Sequence, residues 1–362
     1  MPRPLQESPL RYLSLLLLVV LGCGETEPSQ PSDDPGSEEA DPAEEPSASL
    51  APVEEQAPRY ALHEWGLLQV TRGEGTALLR TGAGSFPAPR PTPVAVPTIM
   101  NRPAAARAPV VYAHLLDDGP VAFELRVQQR SGTIVEHYPA VGTENGRVEW
   151  SVRARAGSCD PEAYPTVEDP RCETPDGLCE LAELERYETA DGACLEVEGK
   201  TFDHLFYRGE LPEVELPVGV ALEGEELVVR GEAGSVLQLS RNGAAVRTAV
   251  FEISPEGVRV PRRPSEGDAA EGQAWIDRVL TARGLTDNER AAFRRAWDRY
   301  LFGGEGEGEP VQTDPARGAH RPVRDGLLYV LPDSGAVSSL EATPPPAEVR
   351  RAIVVLVDLR LR

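Results

Sequence analysis

Cationic side chains are scarce in this chain: 36 Lys and Arg stand against 59 Asp and Glu over 362 residues, for a formal charge of −23. Lys200 is the only lysine, a bias we assign to the base composition of the coding sequence rather than to chemistry. Nucleic-acid binding depends on clustered cations that displace counterions, so the acidic balance argues against a nucleic-acid partner. Long apolar runs are lacking as well. Tyr12–Leu21 is about half of the ~20 residues a membrane-spanning helix needs, and Ala352–Val357 is the length of one buried strand. Catalytic signatures are missing too: there is no Gly-x-Ser-x-Gly elbow, no Gly-x-x-x-x-Gly-Lys-Ser/Thr loop and no His-Glu-x-x-His helix. Gly304-Glu305-Gly306-Glu307-Gly308 is no phosphate cradle, because its acids repel phosphate and no helix follows. Cys-x-x-Cys zinc spacing and an Asp-x-Asp-x-Asp-Gly calcium loop are also absent.

The beginning of the chain is informative. Arg3 and Arg11, the apolar run Tyr12–Leu21 and the small residue Gly22 before Cys23 make a secretory signal peptide over residues 1–22. Val20-Leu21-Gly22-Cys23 resembles the lipobox of bacterial lipoproteins, which implies a diacylglyceryl thioether on Cys23 and cleavage before it. Each buried methylene contributes about 0.8 kcal/mol, so two or three acyl chains anchor a protein almost permanently. Lipidation also accounts for the odd fifth cysteine. Gly24 stands where an Asp would resemble an inner-membrane retention signal, which favours the outer membrane. From Gly24 to Pro58 there are eleven Asp and Glu among Pro, Ser and Ala, and no Lys or Arg. Such a segment cannot bury enough apolar area to offset its ordering entropy, so residues 23–58 read as a disordered anionic spacer. An acidic tail for a basic partner is disfavoured, since Pro and Ser break its charge into short clusters.

The 304 residues from Arg59 onward form the body. Expected strands are Tyr60–Thr71, Pro109–Leu115, Val121–Gln129, Thr133–Tyr138, Arg147–Arg153, His204–Tyr207, Val214–Leu222, Glu226–Arg230, Ser235–Ser240 and Val246–Ile253. Alternation such as Val121, Phe123, Leu125 and Val127 against Ala122, Glu124 and Arg126 is the signature of half-buried antiparallel strands. Arg241-Asn242-Gly243 is a hairpin-turn signal. Further on, Ala270–Arg283 carries Trp275, Ile276, Val279 and Leu280 on one helical face. A capping box, Thr286-Asp287-Asn288-Glu289, precedes Phe293, Trp297, Tyr300 and Leu301 at helical spacing. The expected fold is mainly β, antiparallel and sandwich-like, with a C-terminal helical hairpin, α+β overall. A β-rich domain is expected over 59–262, with the hairpin and terminal strands of 263–362 packed on the same body.

Four cysteines, Cys159, Cys172, Cys179 and Cys194, fall in an insert over 156–196. In an exported chain they read as two disulfides with three possible pairings. Leu178–Tyr187 reads as a short helix within it. Asp160, Glu162, Glu168, Asp169, Glu173, Asp176 and Glu180 offer a calcium site as the one cofactor possibility, although solvated surface acids explain them more simply.

His63-Glu64-Trp65-Gly66 opens the body on an expected strand, where neighbouring side chains face opposite ways. With Leu62, Leu68 and Val70 marking the buried face, Glu64 lies on it and His63 and Trp65 do not. A buried carboxylate is costly unless paired, so Glu64 is expected to meet a cation, with Arg208 as the candidate. Three acid–histidine neighbours, His63/Glu64, Glu136/His137 and Asp203/His204, are kept apart by strand alternation. Histidines from different strands could still converge on a metal, and the five are His63, His114, His137, His204 and His320; scattered single histidines are more simply structural, so no metal ligand set is assigned. The candidate functional residues are His63, Glu64, His204 and Arg208.

The body resembles a family of uncharacterised exported bacterial proteins. The likeness rests on His63-Glu64-Trp65-Gly66, Pro109-Val110-Val111-Tyr112, Glu136-His137-Tyr138-Pro139, Val148-Glu149-Trp150, Leu205-Phe206-Tyr207-Arg208-Gly209, Gly284-Leu285-Thr286 with Trp297, and Leu328-Tyr329-Val330-Leu331-Pro332. Leu67-Leu68-Gln69 replaces the family's Thr-Phe-Thr, and the cysteine-bearing insert lies outside the pattern. The resemblance implies an exported location and one continuous fold, and carries no mechanism. The leading expectation is therefore an envelope-tethered lipoprotein, held to the membrane by its lipid. Its body is then a non-catalytic binding or structural module for a protein or envelope ligand. The alternative is a hydrolase or metal-dependent enzyme with His63, Glu64, His204 and Arg208 converging within about 8 Å. A third reading is calcium-stiffened adhesion through the insert.

Overall fold

Alternating side chains build the strands as expected: along Val121–Gln129 every second residue is buried. The computed structural model describes residues 59–71, 104–144, 146–166, 168–172, 179–211, 216–232, 234–243, 245–254, 256–303 and 323–359. The expected signal peptide, Cys23, the expected acidic spacer, His320 and residues 304–310 lie outside them, as do Glu173 and Asp176.

In chain order the strands are β1 (Tyr60–Thr71), β2 (Ala104–Leu115), β3 (Val121–Gln129), β4 (Thr133–Tyr138), β5 (Thr143–Glu144) and β6 (Arg147–Arg155). Then come β7 (Cys194–Val197), β8 (Lys200–Phe202), β9 (Leu205–Leu211), β10 (Val218–Glu223), β11 (Glu226–Gly231), β12 (Ser235–Asn242), β13 (Ala245–Glu252) and β14 (Val258–Pro261). Helices α1 (Ala269–Ala282) and α2 (Asp287–Leu301) precede β15 (Asp325–Val330), β16 (Ser338–Thr343) and β17 (Glu348–Asp358). The fold is mainly β, with α+β character from the two helices. Short strands such as β7, β8, β14 and β16 escape the sequence pattern, because none is long enough to carry a clear period of its own.

Eight strands form the largest sheet, in the order β13-β12-β15-β17-β1-β2-β9-β4. Within it β1 and β17 run parallel and the other neighbours antiparallel. A second sheet has the order β16-β3-β6-β7-β8 with β5 paired to β6, and a third is β10-β11-β14. One face of the large sheet is covered by helices: Trp65 meets Phe293 of α2 and Tyr187, with ring centroids 5.5 and 5.8 Å apart. The other face is covered by the smaller sheets. Tyr60 stacks on Phe123 of β3 at 4.5 Å, while Leu68 and Val355 join a cluster with Val218 and Val229.

This layering corrects the expectation for β1. His63 and Trp65 are buried along with Glu64, at 4, 0 and 0 % exposure. A central strand covered on both sides has no solvent face, which is also why Ala352–Val357 of β17 reads as one continuous apolar run.

Helix α2 is capped as its sequence predicts. Thr286 Oγ1 accepts the Glu289 N–H at 3.1 Å, and the Glu289 carboxylate accepts the Thr286 N–H at 2.7 Å. Asp268 caps α1 through the Glu271 N–H. Gly284, with φ of +79°, takes the left-handed turn after α1 that a side chain would resist.

Of the three possible cysteine pairings, the structure has Cys159–Cys194 and, nested within it, Cys172–Cys179. The insert is not a satellite. Its Leu181–Tyr187 segment is a 3-10 turn rather than an α-helix, and its Leu181, Leu184 and Tyr187 lie in the main core.

Candidate functional site

Glu64 points from β1 toward the second sheet and is fully buried. Its partner is Arg351, not Arg208. The parallel register places Arg351 of β17 opposite Glu64, and their side chains form an ion pair. Tyr207 also donates its hydroxyl to Glu64 Oε1 at 2.5 Å, and Arg351 reaches the Ser338 carbonyl and hydroxyl at 2.9 and 2.8 Å. Strand parity explains the correction. Tyr207 faces Glu64, so the next residue, Arg208, faces the helical layer, where it pairs with Glu136 directly across β4. The Glu180 N–H donates to Glu136 at 3.1 Å. Burial pushes the Glu136 carboxyl above its ordinary range, and Arg208 opposes that rise.

His204 sits just before β9, so the alternation expected to separate Asp203 from His204 does not apply. Asp203 Oδ1 lies 2.9 Å from His204 Nδ1, although neither ring nitrogen has an aligned hydrogen bond. The imidazole is fully buried among the rings of Tyr112, Tyr138, Tyr164 and Tyr187, with centroids 6.0–6.1 Å away. The Tyr164 hydroxyl lies 2.9 Å from both Asp203 Oδ2 and Glu188 Oε1. Burial favours the neutral form of Asp203, but His204 and Tyr164 outweigh it and lower the carboxyl. Asp203 also lines a cleft of about 700 Å³ with Glu185, Arg186, Glu188, Gly192 and Arg295.

A third cluster was not assembled from the sequence. His63 pairs across the β1–β2 ladder with Tyr112, and His114 with Ala61, so the two histidines are diagonal neighbours on the helix-covered face. Their ring centroids are 4.1 Å apart. The first turn of α2 brings Glu289 onto them: Oε1 is 2.9 Å from His63 Nδ1 and 3.1 Å from His114 Nε2. Burial opposes ionisation of Glu289, yet bonds to His114, His63 and the Thr286 amide hold its carboxyl at about 2. The three ligand-type atoms lie within 4.8 Å of one another, the one such group of His, Cys, Asp and Glu among the described residues.

The four candidate residues therefore do not share one site. His63 and Glu64 face opposite sides of β1, Arg208 is held by Glu136, and His204 is enclosed by tyrosines. The remaining acid–histidine neighbours obey alternation: His137 Nε2 turns to the Val141 backbone while Glu136 takes Arg208. Acids of the insert have local partners, Asp169 with Arg171 and Glu162 with Lys200. Sequence reasoning missed His114, Glu289 and Arg351. Glu289 carried a signal only as the fourth residue of a capping box, His114 only as one of five scattered histidines, and Arg351 carried none. Comparison with protein-family models gives no match for this chain, and comparison with curated proteins gives none either.

Proposed function

We propose that the protein is an exported lipoprotein, held in the outer membrane by acyl chains on Cys23, whose body is a non-catalytic binding module. The anchor rests on Val20-Leu21-Gly22-Cys23 and on the acid-rich spacer after it. The observation that carries the binding half is the cleft of about 700 Å³ beside Asp203. That volume lies within the ~300–1,000 Å³ of small-ligand sites. Three carboxylates, Glu185, Glu188 and Asp203, line it against the guanidiniums of Arg186 and Arg295, so it suits a polar ligand rich in hydrogen-bond donors. Its frame is braced by the Cys159–Cys194 bridge and by the Tyr164 hydroxyl.

Radiolabelled palmitate and membrane fractionation test the anchor. Wild type incorporates label and sediments with membranes, whereas Cys23→Ala does neither. Unchanged labelling in the variant, or a native product that retains its first 22 residues, overturns the anchor. For the cleft, thermal-shift screening with small polyamines and amino sugars is expected to find a compound that raises Tm. The shift disappears in Glu188→Gln, and an equal shift in both proteins overturns the assignment.

A further inference from the structure

We propose that His63 Nδ1, His114 Nε2 and the Glu289 carboxylate form a site for a divalent d-block cation of the zinc class, with an open coordination position beside His114. This is independent of both the anchor and the cleft. Ligand chemistry comes first: two imidazoles and one carboxylate are a set that zinc uses when a further position is left for water or ligand. Calcium and magnesium, which demand six or more oxygens, are excluded by the two nitrogens.

Geometry comes second. Bonds of ~2.0–2.1 Å in a tetrahedron put adjacent ligand atoms about 3.3 Å apart. Here they stand at 2.9 and 3.1 Å from Glu289 Oε1. Opening these two edges by a few tenths of an ångström, with the two nitrogens, which lie within 4.8 Å of each other, brought to the same spacing, admits the ion. Binding requires neutral rings with the proton on Nε2 of His63 and on Nδ1 of His114. The imidazole contacts to Glu289 then give way to bonds to metal.

The surroundings hold the ligands in place. His63 and His114 sit on adjacent strands inside the large sheet, and Glu289 sits on a capped helix, so none depends on a loop. The Thr286 N–H binds Glu289 Oε2 at 2.7 Å, an outer contact of the kind that orients metal ligands; Oε1 faces both imidazoles, and Oε2 lies 3.1 Å from His63 Nδ1 as well. Two other charged groups interact with the cluster, Glu348 with His63 and Arg350 with Glu289. Arg350 is held by Glu348 and by the Gly284 carbonyl, so its charge is compensated and the ion faces a net negative site. Access is from the His114 side, whose side chain is 14 % exposed against 5 % for His63 and none for Glu289.

The competing explanation is a purely structural strut of three hydrogen-bonded side chains. The full chain in detergent, stripped with chelator, separates the two by calorimetric titration with Zn2+ and by visible absorption with Co2+. One ion per chain, Co2+ bands of a four-coordinate site, a Zn2+-dependent rise in Tm and no equivalent response to Ca2+ are expected. His114→Gln and Glu289→Gln each weaken binding by at least about tenfold. Glu289 also caps α2, so His114→Gln decides the matter if the other variant misfolds, with circular dichroism of the metal-free proteins as the control. No Zn2+ binding by wild type, or equal binding by a folded His114→Gln protein, overturns the site.

Discussion

At the scale of single residues, the buried ion pairs dominate. Glu64 and Arg351 are both held inside the body, and each has further hydrogen bonds to Tyr207 or Ser338. Removing one partner leaves a charge in a low-dielectric interior, which costs about 3–5 kcal/mol, whereas removing both costs much less. Arg351→Met is therefore expected to lower the urea midpoint sharply, and the Glu64→Gln, Arg351→Met double variant to recover part of the loss. If the double variant is as unstable as the sum of the singles, the pair is not coupled. The His63-Glu64 pair at the start of the body thus has two separate roles, one per face: Glu64 joins the sheets, and His63 meets the helix.

At the scale of elements, one residue of α2 ties the helix cap to the sheet. Glu289 completes the capping box and also meets two histidines from β1 and β2. Thr286→Ala removes the acceptor for the Glu289 N–H and is expected to cost about 1 kcal/mol. It leaves the backbone N–H of residue 286 in place, so the carboxylate keeps its orientation. Chemical denaturation measures the first effect, and the Zn2+ affinity, unchanged within about threefold, checks the second. Strands β1, β3 and β4 and helix α2 lie where the sequence reading places them; β3 carries its own period of two and α2 its own cap. Strands β7, β8, β14 and β16 do not, because only their neighbours make them strands.

On the scale of the whole molecule, the connection between the two ends of the body is decisive. β1 near residue 60 lies parallel to β17 near residue 350, so the first and last described strands share the centre of the large sheet. The insert adds a covalent clamp. Loop-entropy estimates give about 4 kcal/mol for Cys159–Cys194, which spans 35 residues, and about 2 kcal/mol for Cys172–Cys179, which spans seven. Paired Cys→Ser replacement of the outer bridge is expected to lower Tm more than replacement of the inner one, as read by calorimetry. The reverse order would mean that the inner loop, not the clamp onto β7, carries the stabilisation.

Local features of this protein were decided by the sequence itself: where most strands run, how α2 begins, and that four cysteines form two bridges. The strands and the cap depend on residues two to four positions apart, whose relative placement the backbone geometry imposes, and the number of bridges on a simple count of cysteines. Which arginine meets Glu64, which cysteines pair, and that His63 and His114 meet Glu289 were decided only by the tertiary structure. Those partners stand 287, 226 and 175 positions apart for Glu64–Arg351, His63–Glu289 and His114–Glu289. No local period carries information over such distances; strand order, register and the parity of each sheet face do.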